Sequence, residues 1–140
     1  PDLIVHLYAT NPLQRVEDID ACIELVVSDP EAHSATAIVE AREHPQKAVK
    51  ISSDGKHIVT YITESGLDIT PQQRQSYEKA YFRKGNVMVT RYDVLKTMRS
   101  LSGHRVRHHI IPKEHAVDID SELDFLMIEQ LIKNKHADSV

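Results

Sequence analysis

Cysteine occurs once in the 140 residues, tryptophan never and glycine four times, and no apolar run approaches the ~20 residues that cross a bilayer. A lone thiol excludes an internal disulfide framework, and Cys22 falls among the apolar positions of a predicted helix, where it reads as a small buried side chain. With so little glycine there is no Gly-rich phosphate loop; Gly-x-Ser-x-Gly and Cys/His nucleophile patterns are also absent. Basic residues do not outnumber acidic ones, 17 against 21, and a formal charge of −4 argues against broad attraction to nucleic acid. An anionic ligand must therefore be held by local groups, although nine histidines would shift the balance as pH falls. No basic lead-in runs into an apolar segment with a cleavage site, so the expected location is the cytoplasm and no membrane contact is expected.

What is present suits one folded domain. The chain is 41% hydrophobic and 27% charged, and its length suffices to bury a core without staples. It opens on "DLIVHLYA", an apolar run of strand length that suggests a buried strand rather than an exposed edge. The turn "TNPLQR" leads into "VEDIDACIELVV", where Val16, Ile19, Ile23 and Val26 recur at helical spacing until Asp29-Pro30. "ATAIVE" (35–40) reads as the next strand, so the first third fits a parallel α/β layer. "KAVKI" and "HIVTYI" flank "SSDGK", an Asp-Gly hairpin signal and hence an antiparallel insert. A threonine cap, a proline and a glutamine in "TPQQRQSYEKAYF" predict a helix over 71–82. "NVMVTRY" reads as a strand, "DVLKTMRSL" as a short helix ended by Ser102-Gly103, and "VRHHIIP" as a strand. In "SELDFLMIEQLIKNK" apolar residues crowd one face, Ser121 with Asp124 fits a capping box, and Lys133 and Lys135 suit the negative end of the dipole.

Directly before that helix stand Asp118 and Asp120. In an extended segment their side chains project to one side while Ile119 points to the other, a geometry that suits magnesium, which takes oxygen ligands and keeps waters and phosphates in its shell. The competing reading is that an acid there merely favours the helix start through exposed amide donors and the dipole. The histidines of "GHRVRHHIIPKEH" invite zinc, but His108 and His109 are adjacent on a predicted strand and face opposite sides, so solvated or phosphate-facing roles suit them better. Lys47 lies just beyond the proline turn of "EHPQK" and Arg74 in "QQRQ"; either cation suits a phosphate or a carboxylate, or simply the solvated surface.

Taken in order, "LYATNPLQRVEDIDACIEL", "EHPQKAVKISSDG", "RQSYEKAYFRKGNVMVTRYDVL" and the "VDID" before the closing helix resemble the CMP-sialic acid synthetase family, the cytidylyltransferases of sialic-acid-type keto-sugar acids. The likeness covers nearly the whole chain, and "VDID" in that place is its most specific part. It implies an α/β fold with a partial nucleotide-diphospho-sugar-transferase-like (Rossmann-like) mixed sheet over residues 1–140, and a small antiparallel dimerisation insert at about 44–84. It implies transfer of CMP from CTP to the sugar's anomeric hydroxyl with release of pyrophosphate. By the same resemblance magnesium would be the cofactor, held by Asp118 and Asp120. Lys47 and Arg74 would act in catalysis, and Tyr8, Thr10, Lys47, Arg74 and Gln75 would bind substrate.

The family's N-terminal strand and Gly-rich basic loop have no counterpart, so the chain resembles the C-terminal major part of such an enzyme and is expected to be incomplete as a catalyst. A βαβ unit of ~30 residues or more is missing. Tyr8 stands where many members have glutamine and Lys84 where an asparagine is usual, and the proline after the Arg-Gln pair is absent. A second expectation is therefore a non-catalytic sugar- or nucleotide-binding domain, or a dimeric scaffold, built on the same fold. In either case a homodimer is expected.

Overall fold

The computed structural model describes residues 1–62 and 78–137, excepting the side chains of 84–86 and 135–137. Strand β1 is Leu3–Leu7, helix α1 Val16–Val27 and strand β2 Ser34–Glu40. A 3₁₀ turn, Pro45–Lys47, precedes β3 (Val49–Ile51) and β4 (Ile58–Thr60). Strand β5 is Tyr81–Arg91, helix α2 Tyr92–Met98 and strand β6 Val106–Ile110; a second 3₁₀ turn, Lys113–His115, precedes α3, Glu122–Ala137. The chain divides into two compact units, Pro1–Val39 with Arg83–Val140, and Glu40–Phe82.

The larger sheet runs β1-β5-β2-β6. β1 pairs antiparallel with β5, Leu3 opposite Arg91, and β2 pairs parallel with β6, Ser34 opposite Val106. Between β2 and β5 the bonds run from Arg91 N–H to His33 O (3.1 Å) and from Thr36 Oγ1 to Val87 O (3.0 Å), so partners fall in number as β2 rises. β5 alone runs against the other three strands, and the result is a mixed α/β sheet consistent with a Rossmann-like fold.

One face of this sheet is the core. Ala35, Ala37 and Val39 of β2 and Val87 and Val89 of β5 alternate inward against Cys22 and Val26 of α1, with Ile111 and Ala116 closing the cluster. Small alanines let the helix approach closely, and each fully buried valine contributes about 1.5–2 kcal/mol. Burial pushes the Cys22 thiol up to about 11, as expected of an inert core thiol. The opposite face is polar, and hydroxyls there tie down the segment after α2. Ser34 Oγ donates to Ser102 O (2.6 Å) and Thr90 Oγ1 donates to Leu101 O. Arg91 closes the far end of α1, its guanidinium donating to the carbonyls of Val26 (2.6 Å), Ala32 (2.9 Å) and Asp29 (3.1 Å).

In the second unit β3 and β4 form the antiparallel hairpin that Asp-Gly announces, with Gly55 at φ 69° in the turn. Asp54 organises that turn: its carboxylate accepts from the Ser52 hydroxyl, from Lys56 N–H (2.9 Å) and from His57 Nδ1 (2.5 Å). The Ser52 bond and those from residues 56 and 57 hold the Asp54 carboxyl down at about 2.

Three expectations need correction. β1 is an edge strand, with Val5 40% and Leu7 47% exposed, because an apolar run signals strand formation but not its place in the sheet. Of the helix expected over 71–82, residues 71–77 lie outside the described residues, while 78–80 are irregular and Tyr81–Phe82 already belong to the extended strand β5, against the local helix signals. The helix expected to reach Ser102-Gly103 stops at Met98, where Arg99 turns left-handed at φ 50° and Ser100 Oγ accepts from the N–H of Ser102 and Gly103 instead.

Candidate active site

The turn that follows β1 is built around the Tyr8 carbonyl, which accepts from Asn11 N–H (3.1 Å) and from Gln14 Nε2 (2.8 Å). This local closure leaves Thr10 exposed and buries Asn11, and the acidic segment is bonded to both. Ile119 N–H donates to Thr10 O (2.8 Å), and Asn11 Nδ2 donates to Asp118 Oδ1 (3.1 Å). The buried His115, just upstream, bonds through Nδ1 to Leu13 O (3.1 Å). Three hydrogen bonds thus stitch residues 115–119 to residues 10–13.

Asp118 is half-buried and Asp120 exposed, on either side of the half-buried Ile119. Neither acid caps the helix. Ser121 does so: its Oγ accepts from Asp124 N–H (3.3 Å) and donates to Asp124 Oδ2 (2.7 Å), while Asp120 contributes only its N–H, which donates to the same oxygen (3.2 Å). The capping box of α3 is thus made by Ser121 and Asp124. Among the described residues no three His, Cys, Asp or Glu side chains gather to hold a metal ion. Two carboxylates without a third protein ligand fit a hard cation that completes its shell with water and substrate oxygens, and do not fit a closed zinc site.

Tyr8 stacks on His6, ring centroids 4.5 Å apart, and opens onto a cleft of about 390 Å³ lined by Tyr8, Thr36, Arg83, Val87, Met88, Leu101 and Ser102. The cleft lies on the polar face of the sheet and offers the hydroxyls of Tyr8 and Ser102 and one guanidinium, with the buried Thr36 hydroxyl already donating to Val87 O. Arg83 had no special signal in the sequence. It comes to Tyr8 only because β5 pairs with β1, Val87 opposite Leu7.

The remaining expected residues fall elsewhere. Lys47 is exposed in the second unit, at the end of the turn that His44 fixes by accepting from Gln46 N–H through Nδ1 (3.3 Å) and donating from Nε2 to Glu78 O (2.9 Å). Arg74 and Gln75 lie outside the described residues. His108 is exposed, but His109 is not simply solvated: its Nε2 donates to Asp18 Oδ1 (2.9 Å). Asp18 is 3% exposed and also accepts from Arg15 Nε (2.9 Å) and Nη2 (2.7 Å). Burial pushes this carboxyl up, but the bonds from Arg15 and His109 outweigh it and hold the group below the ordinary carboxylate range. No sequence pattern announced this cluster.

No protein-family model matches the chain. No described helix is long and apolar enough to cross a membrane. The chain is similar to the post-translational flagellin modification protein B of Campylobacter coli, 32% identical over 135 residues that take in 96% of this chain. It spans about half of that relative's length, 54%.

Proposed function

We propose that this chain is the major part of a cytidylyltransferase that moves CMP from CTP to a keto-sugar acid of the sialic type, releasing pyrophosphate. The observation that carries the reading is the joining of the acidic segment to the turn at Tyr8, whose ring lines a cleft furnished with Arg83, Thr36 and Ser102. A polyhydroxylated acid needs such a set: hydroxyls for its hydroxyls and a guanidinium for its carboxylate. Similarity to a protein named for post-translational flagellin modification agrees with it, since a sugar nucleotide is one donor that such a modification consumes.

In this reading Asp118 and Asp120 hold magnesium. When bound, the ion neutralises charge on the phosphate oxygens. Asn11 orients Asp118 through its amide, and the Ile119–Thr10 bond keeps the segment against the turn, so that sugar and nucleotide are held close together. Arg83 and Tyr8 orient the sugar so that its hydroxyl oxygen faces the α-phosphorus; the new O–P bond forms as the bond to pyrophosphate breaks, and the hydroxyl proton passes to solvent. Lys47, Arg74 and Gln75 join the substrate contacts on the strength of the sequence resemblance alone.

The same reading includes a homodimer through the second unit, which exposes Ile51 (72%), Tyr61 (64%), Ile58 (52%) and Phe82 (47%). The test is pyrophosphate release from CTP and magnesium with a panel of keto-sugar acids, alongside calorimetry. Asp118→Asn and Asp120→Asn should each lower magnesium affinity at least about tenfold, the scale for losing a ligand or its supporting shell. Unchanged magnesium binding in both removes them as ligands. Binding of CTP or sugar acid without release assigns the chain instead to the non-catalytic binding module.

A further inference from the structure

Asp18 is a buried carboxylate that the proposed chemistry leaves without a task. Two groups converge on it, one local and one distant in the chain. Arg15 ends the turn that begins at Tyr8, Asp18 itself sits in the first turn of α1, and His109 lies near the end of β6, the strand that leads into the acidic segment. The Arg15 bond is local, three residues along one helix entry, and cannot register a helix on a strand. The His109 bond joins residues 91 apart in the chain and crosses from α1 to β6. Downstream of His109 the chain runs through Ile111, whose N–H donates to Ile38 O (2.9 Å), to His115, Asp118 and Ile119, all three bonded to the turn. Turn and acidic segment thus depart from a common anchor and meet again at Thr10 and Asn11.

We propose that Asp18 and His109 are positioning residues, whose bond sets the register between the turn after β1 and the segment bearing Asp118 and Asp120. This rests on the reading of that segment as the metal-holding part of the site. A charge-assisted bond to a buried carboxylate is among the stronger polar contacts a protein makes, and its removal leaves the burial cost of Asp18 uncompensated on the strand side. The expected consequence is a local loosening where the two segments meet, with the core layer beyond Ile38 unaffected.

The test is native-state hydrogen exchange on the whole chain, read at two amides: Ile119, which donates to Thr10, and Ile111, which donates to Ile38 in the core. His109→Leu should speed exchange at Ile119 by on the order of tenfold while Ile111 changes less than about twofold, since local openings are separable from global unfolding. His109→Gln keeps a side-chain donor and should recover most of the protection. Equal loss at both amides, or equal loss in the Leu and Gln variants, overturns the proposal. Should His109→Leu not fold, Asp18→Asn is read at the same amides, and protection at Ile119 as high as in the parent overturns it. Magnesium titration of the same samples separates the two readings: if Ile119 opens in His109→Leu while even the parent binds no magnesium, the positioning role stands and the metal reading fails.

Discussion

Replacing Gly103 with alanine should destabilise the protein far beyond the usual cost of a loop substitution. Gly103 sits at φ +62°, and a Cβ placed there would lie 2.6 Å from His33 Nδ1, 2.7 Å from His33 Cβ and 3.0 Å from His33 Cγ. His33 cannot yield easily. Its N–H donates to Arg105 O (2.8 Å), its carbonyl accepts from Arg91 N–H (3.1 Å), and its ring Nδ1 accepts from His104 N–H (3.0 Å). The left-handed conformation costs alanine about 1–2 kcal/mol, and overpacking against a fixed neighbour a further ~1–3 kcal/mol. Reduced freedom of the unfolded chain returns about 0.4–1 kcal/mol, leaving a net loss near ~3 kcal/mol. For a domain of this size that is roughly a 10 °C fall in Tm. Thermal unfolding by circular dichroism and urea titration measure it, with the urea m-value unchanged. The steric share is isolated by repeating the substitution in a His33→Gly background, where the Cβ and the ring are gone and only the left-handed cost of about 1–2 kcal/mol, less about 0.4–1 kcal/mol from the unfolded chain, should remain. A Tm within about 2 °C of the parent, or an identical cost in both backgrounds, refutes the close approach of Gly103 to His33. Because Leu101 and Ser102 line the Tyr8 cleft, the same variant should also weaken any ligand held there.

Three other outcomes follow from the same structure. Arg91→Ala removes donors to the Val26, Asp29 and Ala32 carbonyls and should cost about 2–3 kcal/mol in urea unfolding, with Arg91→Lys recovering little because one ammonium cannot span all three. The Asp54 carboxyl is held at about 2 against an ordinary value of ~3.9, so its support for the hairpin turn is complete above pH ~4 and is lost as pH falls through 2. The Lys56 amide resonance should therefore titrate with that low midpoint, and a midpoint near 4 would contradict the Asp54 contacts. Ile51→Lys on the exposed hairpin should convert the proposed dimer to monomer in sedimentation velocity while leaving the far-UV circular dichroism of the folded chain unchanged, whereas an unchanged mass places any dimer contact elsewhere.

Several elements were legible from near neighbours alone, although the local turn at Arg99 and Ser100 that ends α2 at Met98 was not. The spacing of Val16, Ile19, Ile23 and Val26 marks α1, Asp54-Gly55 marks the hairpin, and Ser121 with Asp124 makes the capping box as read. Local pattern failed where partners distant in sequence decide. The helix signals from Thr70 onward say nothing about β5, which begins at Tyr81 and whose residues 87–91 pair with β1, a partner distant in sequence. The apolar run at the start cannot reveal that β1 lies at the edge of the sheet. For the site, sequence named Tyr8, Thr10, Asp118 and Asp120 one by one, but only folding joins Asn11 to Asp118 across 107 residues and His109 to Asp18 across 91. A hydrogen bond needs heavy atoms within about 3 Å, and over such separations only the sheet order, set by burial of β2 and β5 against α1, brings them there.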